Sequence, residues 1–209
     1  MSSSGNEPVV SLSAFSYLYS EMVQYHQNRV DSISELERRL EATGFGVGLR
    51  VLELLTYRQR DYKRETRLMN VLQFVSTVAW KALFGKAADS LERSMDHADE
   101  FMIVDYTPTT SHYLTVPTDF GGLSADAYIS GIVAGLLDGA GFSARVTAHT
   151  VALEEGETAP VTAASTATSP TFHAMAVGAR NPMLPPRKDK AVFLVKFDPT
   201  VLSRDANMN

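Results

Sequence analysis

Three glycines at alternate positions, Gly44, Gly46 and Gly48, are the first residues of the chain whose type and spacing could do chemistry. Glycine-rich loops cradle phosphates because main-chain N–H groups can reach an anion where no Cβ intervenes. A dinucleotide fingerprint needs Gly-x-Gly-x-x-Gly between a strand and a helix. Here position 49 is Leu, and the segment before the glycines has a helical pattern. A phosphate loop of the Walker type needs Gly-Lys-Ser or Gly-Lys-Thr, and Gly48-Leu49-Arg50 supplies neither. A nucleotide-binding protein or enzyme using Gly44–Gly48 is therefore the alternative reading, not the leading one.

Other chemistry is equally thin. The five histidines (His26, His97, His112, His149, His173) do not pair at metal-ligand spacing. There is no cysteine, which removes disulfides, thiolate ligands, a thiol nucleophile and thioester attachment together. Asp96, Asp99 and Glu100 cluster, but at a junction between elements where solvated charge is commonplace. No Gly-x-Ser-x-Gly elbow occurs. No catalytic, cofactor or metal site is expected, and the chain reads as a non-enzyme.

The elements that would have to position a site begin with a helix over Leu12–Val30. On a helical wheel Ala14, Phe15, Leu18, Tyr19, Met22, Val23, Tyr25, His26 and Val30 fill about half the circumference, whereas docking on one core needs a stripe of only ~100°. The surplus marks Phe15, Leu18, Tyr19, Met22, Tyr25 and His26 as candidate partner-interface residues. Ser32 and Glu35 form a capping box for a second helix, expected to stop at Gly44, with a third running from Val47 to Arg60. The glycines then serve a helix-to-helix junction, one as a C-cap and the others for close backbone approach. The connector Tyr57–Arg67 carries five basic residues, Arg58, Arg60, Lys63, Arg64 and Arg67, against two acidic ones. It is a candidate surface for an acidic partner or an anionic membrane, and peripheral membrane contact is expected there if anywhere.

Leu68–Phe84 is the most apolar helix, stopped by Gly85, and Lys86–Met95 is expected to add a short helical piece. Phe101–Val104 and Tyr113–Val116 read as strands, Ser124–Ala140 as a helix whose Ser130, Gly131, Ala134 and Gly135 permit tight packing, and Phe142–Leu153 and Ala191–Phe197 as strands. Between the last two lies Glu154–Lys190, with five of the nine prolines and a Thr/Ala/Ser tract. It is expected to be a disordered insertion between neighbouring antiparallel strands. No apolar run reaches the ~18 residues of a membrane span, and the start MSSSGNEPVV lacks the pattern of a secretory signal. A net charge of −5 argues against bulk nucleic-acid binding. The fold class is α+β, one domain over residues 11–205, with residues 1–10 and 206–209 expected to be flexible.

Three stretches carry a resemblance. Gly44-Phe45-Gly46-Val47-Gly48-Leu49-Arg50-Val51-Leu52-Glu53 resembles a motif of the small α/β subunits of TRAPP, the transport protein particle. The run from Trp80 to Glu92 looks like a signature of the subunit 5 branch. Gly131-Ile132-Val133 and Gly141–His149 are similar to that branch's C-terminal half. The resemblance implies helices packed on a twisted four-stranded antiparallel sheet. It also implies a scaffold subunit of a vesicle-tethering complex that acts as a nucleotide exchange factor for a Rab GTPase. The implied location is the cytoplasmic face of the endoplasmic reticulum and cis-Golgi, and the implied partners are a paralogous α/β subunit, met through the N-terminal helices, and a longin-type subunit. One relative carries a fatty acyl chain on a cysteine, a property that this cysteine-free chain cannot share.

Overall fold

The computed structural model describes residues 10–58, 64–111, 114, 122–153 and 189–207. Among these residues six α-helices, α1 (Leu12–Gln27), α2 (Ile33–Arg58), α3 (Leu68–Gln73), α4 (Trp80–Phe84), α5 (Ala127–Gly139) and α6 (Pro199–Ala206), accompany one sheet. Its strands are β1 (Ser90–Arg93), β2 (Glu100–Asp105), β3 (Ala144–Ala152) and β4 (Asp189–Phe197). All pairings are antiparallel, in the order β1-β2-β4-β3. The expected α+β architecture is the one found, and the segment expected as an insertion does separate two neighbouring strands. Residues 154–188 themselves lie outside the described residues.

α2 runs without a break through Gly44, Gly46 and Gly48, so the expected stop at Gly44 and restart at Val47 do not occur. The reason lies in α5, which carries its own pair, Gly131 and Gly135. Residues four apart share a helix face, and the two glycine faces are pressed together. A Cβ on Gly48 would sit 3.0 Å from the Cα of Gly135 and overlap the carbonyl oxygen of Ile132. A Cβ on Gly131 would sit 2.8 Å from the Cα of Glu41. Each helical glycine forgoes about 1 kcal/mol of propensity relative to Ala; main chain packed on main chain offsets it. The glycines answer a close approach, as the sequence suggested, but within a helix crossing and not at a junction. That crossing leaves no room for a phosphate at Gly44 or Gly48.

α5 is thereby held between α2 and the sheet. Ile129, Ile132, Val133, Leu136 and Leu137 are buried on one core with Phe101, Ile103, Phe193, Val195 and Phe197 of the strands. β4 is one of the two inner strands, and its alternate residues Ala191, Phe193, Val195 and Phe197 are all buried on this core. Full burial of each large apolar side chain contributes roughly 1.5–3 kcal/mol.

The apolar helix expected over Leu68–Phe84 is present, with a π-helical stretch at Phe74–Ala79 joining α3 to α4. Two hydroxyls, those of Ser76 and Thr77, donate to the carbonyl of Gln73. The carbonyl of Ser76 accepts instead from Ala88 N–H at 2.8 Å, outside the helix. Diverted carbonyls of this kind widen a turn. Gly85 ends the helix at φ 76°, the left-handed position only glycine occupies without strain.

Lys86–Met95 does not continue as helix; it holds β1. Leu91 pairs with Ile103, and Asp89 N–H already donates to the Val104 carbonyl at 2.9 Å. Tertiary pairing overrides a short, ambiguous local pattern here. Of the expected strand Tyr113–Val116, only Leu114 lies among the described residues, and it is not in a strand. The fourth strand is therefore β1. The sequence reading also missed α6, which starts on Asp198 with Pro199 in its first turn.

The glycine faces give a sharp contrast in tolerance. Gly44→Ala is expected to destabilise by about 3 kcal/mol or more, because the new methyl meets main chain that cannot yield. Gly46→Ala meets only the end of the flexible Arg50 side chain at 3.3 Å, and is expected to stabilise by roughly 0.5–1 kcal/mol through helix propensity. Urea denaturation of the two variants beside wild type checks both signs.

Candidate partner interface

α1 starts where the Ser11 side chain accepts from Ala14 N–H at 3.2 Å, an N-cap that fixes the first turn. From there its apolar residues divide between two opposite sides. Tyr19 and Val23 are buried with Leu36 and Leu40 of α2 and Ala127 of α5, while Phe15 and Met22 pack at the edge of this cluster. Phe15 stacks on Tyr19 at 5.9 Å, and Tyr19 meets Tyr128 at 5.5 Å. The Tyr19 hydroxyl donates to the carbonyl of Ala125. Burial, with Asp126 close by, pushes the phenol's pKa up.

On the opposite side Tyr17, Leu18 and Tyr25 stand 80%, 71% and 52% exposed, with Ala14 exposed beside them. At 100° per residue these four span about 100° of the helix. Of the six residues expected at a partner interface, Leu18 and Tyr25 are in the open. Phe15, Tyr19, Met22 and His26 face the protein's own interior. Tyr17, which is not among the residues of the apolar arc counted on the wheel, belongs to the open strip; its exposure is a tertiary property that wheel counting does not supply.

His26 has an unusual setting. Its Nε2 lies 3.2 Å from the hydroxyl of Thr43, and that hydroxyl donates to the Arg39 carbonyl. Toward His26 the hydroxyl can therefore only accept, which puts the imidazole proton on Nε2. Nδ1 is left as a bare, buried lone pair. Burial first, then the charges of Arg39 and Arg29, lower the pKa of the ring and hold it neutral.

The remaining expected sites lie apart from this strip. Arg58 ends α2 and is exposed; Arg60 and Lys63 fall outside the described residues. Arg64 donates to the carbonyl of Ala140 at 3.2 Å and Arg67 to that of Asp205 at 3.3 Å. These two cations thus tie the connector to the end of α5 and to α6. Asp99 and Glu100 lie 3.6 and 2.8 Å from the ammonium of Lys196, so that acidic cluster holds a cation of the protein's own. His97 lies close to both carboxylates. His149 bonds Thr147, and His112 and His173 lie outside the described residues.

The run from Trp80 to Glu92 acquires a physical role. Asp105, only 1% exposed, accepts from Trp80 Nε1 at 3.0 Å, from Lys86 Nζ and from Thr107 N–H at 2.8 Å. Asp89 accepts from the same ammonium at 3.0 Å and from Tyr106 N–H at 2.8 Å. A buried carboxylate survives only when paired and fully hydrogen-bonded, and this network meets that demand. Its work is structural.

The family model described as the transport protein particle (TRAPP) component matches residues 15–165. The chain belongs to this family. A curated TRAPP relative, trafficking protein particle complex subunit 5 of Dictyostelium discoideum, is 39% identical over 197 residues, covering 94% of this chain and 90% of the relative. Subunit 5 of Homo sapiens is 46% identical over 140 residues, 67% of this chain and 74% of the relative. Subunit 31 of Saccharomyces cerevisiae is 24% identical over 200 residues, covering 66% and 69% of the two chains. The TRAPP fold is shared with the crystal structure of subunit 3 from Naegleria fowleri covalently bound to palmitic acid, at a TM-score of 0.61 and 14% identity. That match covers 90% of this chain and 95% of the other. The resemblance seen in the glycine run, the Trp80–Glu92 run and the Gly131–His149 stretch therefore stands, and TRAPP components are parts of a vesicle-trafficking complex.

The setting of His26 predicts a pH dependence with a definite sign. Its folded pKa is depressed, so on acidification the unfolded chain takes up the proton first. The stabilisation is complete above the ordinary imidazole pKa of ~6.5 and is lost as pH falls through the lower folded value. Stability measured by urea denaturation from about pH 8 to about pH 5 should decline below that point in wild type and decline less in His26→Gln; identical slopes would remove His26 as the cause.

Proposed function

We propose that the chain is a non-catalytic scaffold subunit of a TRAPP complex and that the open strip of α1 is where it pairs with a paralogous α/β subunit. One observation carries this reading: α1 buries Tyr19 and Val23 on its own core and still presents Tyr17, Leu18 and Tyr25 to solvent. Large aromatic and aliphatic side chains lined up on one helix face are the chemistry of an interface core.

In this reading a longin-type subunit is met on another surface. The assembled complex acts as an exchange factor for a Rab GTPase and tethers vesicles at the cytoplasmic face of the endoplasmic reticulum and cis-Golgi. The subunit contributes shape and attachment to that activity, not a reacting group. Peripheral membrane contact belongs to the complex, with Arg58 and Arg64 the exposed cations among the described residues of the basic connector.

The test is affinity capture of the tagged chain from cells of its own source, with partners identified by mass spectrometry. Leu18→Glu combined with Tyr25→Glu is expected to lose the paralogous subunit by about tenfold or more. Both positions point outward, so the helical circular-dichroism signal and the melting temperature should stay within about 2 °C of wild type. Undiminished capture by the double variant would sink the assignment.

A further inference from the structure

We propose that the outer edge of β3, with the groove beside its first residues, takes up an extended acidic peptide segment of a partner protein by strand addition. This is a second docking place, distinct from the strip on α1 and independent of it.

β3 pairs with β4 in an unbroken register from Ala144↔Phe197 to Ala152↔Asp189 and is the outermost strand of the sheet. Its other edge therefore carries main-chain N–H and C=O groups with no sheet partner among the described residues. Natural proteins blunt such edges with Pro, Lys, bulges or very short strands. The opposite edge of this sheet follows that practice, since β1 is four residues long. β3 has nine residues, ARVTAHTVA, with one charged side chain, Arg145, and no Pro or bulge, and its last four are exposed. Groups of that kind select one thing: another extended main chain.

The groove narrows the choice. It has a volume of about 380 Å³ and opens between α2, α5 and the start of β3. This is the small end of ligand pockets, ~300–1,000 Å³, room for a side chain or two. Its apolar wall is Ala42 and Phe45 of α2, Ala134 of α5 and Val146 of β3. Arg38 and Arg145 stand at its mouth with side chains 71% and 72% exposed. Arg38 spends Nε and Nη2 on Glu35. Among the described residues Arg145 has the Glu41 carboxylate beside it at 3.7 Å, well beyond the ~2.7–2.9 Å of a charge-assisted bond. The edge thus selects an extended backbone, the wall selects an apolar side chain, and Arg145 selects a neighbouring carboxylate.

Fluorescence anisotropy on the full chain tests this, with a labelled nine-residue peptide alternating glutamate with valine and phenylalanine as the probe. Two counterparts accompany it, one with lysine for glutamate and one with alternate main-chain nitrogens methylated. The acidic peptide should saturate below about 1 mM, with the lysine peptide about tenfold weaker and the methylated one silent. Arg145→Glu should reverse the order of the acidic and lysine peptides. Ala42→Trp, at an exposed position, should fill the groove and weaken binding without lowering the melting temperature. No saturation, equal binding by the methylated peptide, or indifference to Arg145→Glu overturns the proposal. A concentration-dependent dimer seen by light scattering and lost in Arg145→Glu would give the edge to a second copy of the chain, and overturns it too.

Discussion

Everything in this fold is arranged around two helices that touch through their backbones. Gly48 of α2 meets Gly135 of α5 main chain to main chain, while Gly44 abuts the backbone of Tyr128 and Ile132 and Gly131 that of Glu41. That contact fixes the height of α2 above the sheet, because α5 is itself packed against β3 and shares one core with Phe193 and Val195. It also fixes where α2 offers Leu36 and Leu40 to α1, and so which side of α1 turns inward. The exposure of Tyr17, Leu18 and Tyr25 follows from a constraint two layers away. Close main-chain approach is unforgiving in a way that a hydrophobic contact is not. A core can repack around one methylene, whereas a carbonyl oxygen cannot step aside.

A second constraint governs the other end of the domain. Asp105 and Trp80, both buried, and the half-buried Lys86 and Asp89 form a polar knot whose every member has a partner. Buried charge is costly and adds little net stability, but it admits very few geometries. Together with the π-helical stretch beneath it, the knot sets the angle at which the chain leaves α4 and enters β1. Apolar packing holds the domain together, and these two inflexible contacts decide its shape.

Much of this was legible in the residues. The period of α1, the alternation of β4 and the stop at Gly85 are strong local signals, and each element appeared where its pattern put it. The glycine run was harder. Glycine serves both as a C-cap and as a crossing point, and only the matching Gly131 and Gly135, far along the chain, distinguish the two. β1 was misread because a few residues cannot separate periods of 2 and 3.6. α6 did announce itself through Asp198 before Pro199, a start signal passed over. At the candidate interface the width of the apolar arc on α1 was visible from the spacing of its residues alone. The division into an inward Tyr19 and an outward Leu18 depends on where α2 sits, and no local pattern carries that.

The register of β3 on β4 has a practical corollary. Ala152 and Asp189 face each other across one strand spacing, so the ends of whatever chain joins them are fixed before that chain is considered. Closure entropy grows only with the logarithm of loop length, and a doubling of the span shifts the balance by about 0.6 kcal/mol. The hairpin therefore offers evolution a splice point. Sequence can be added or removed there, or a fluorescent reporter seated in it, while the helices on the far side of the sheet register no change.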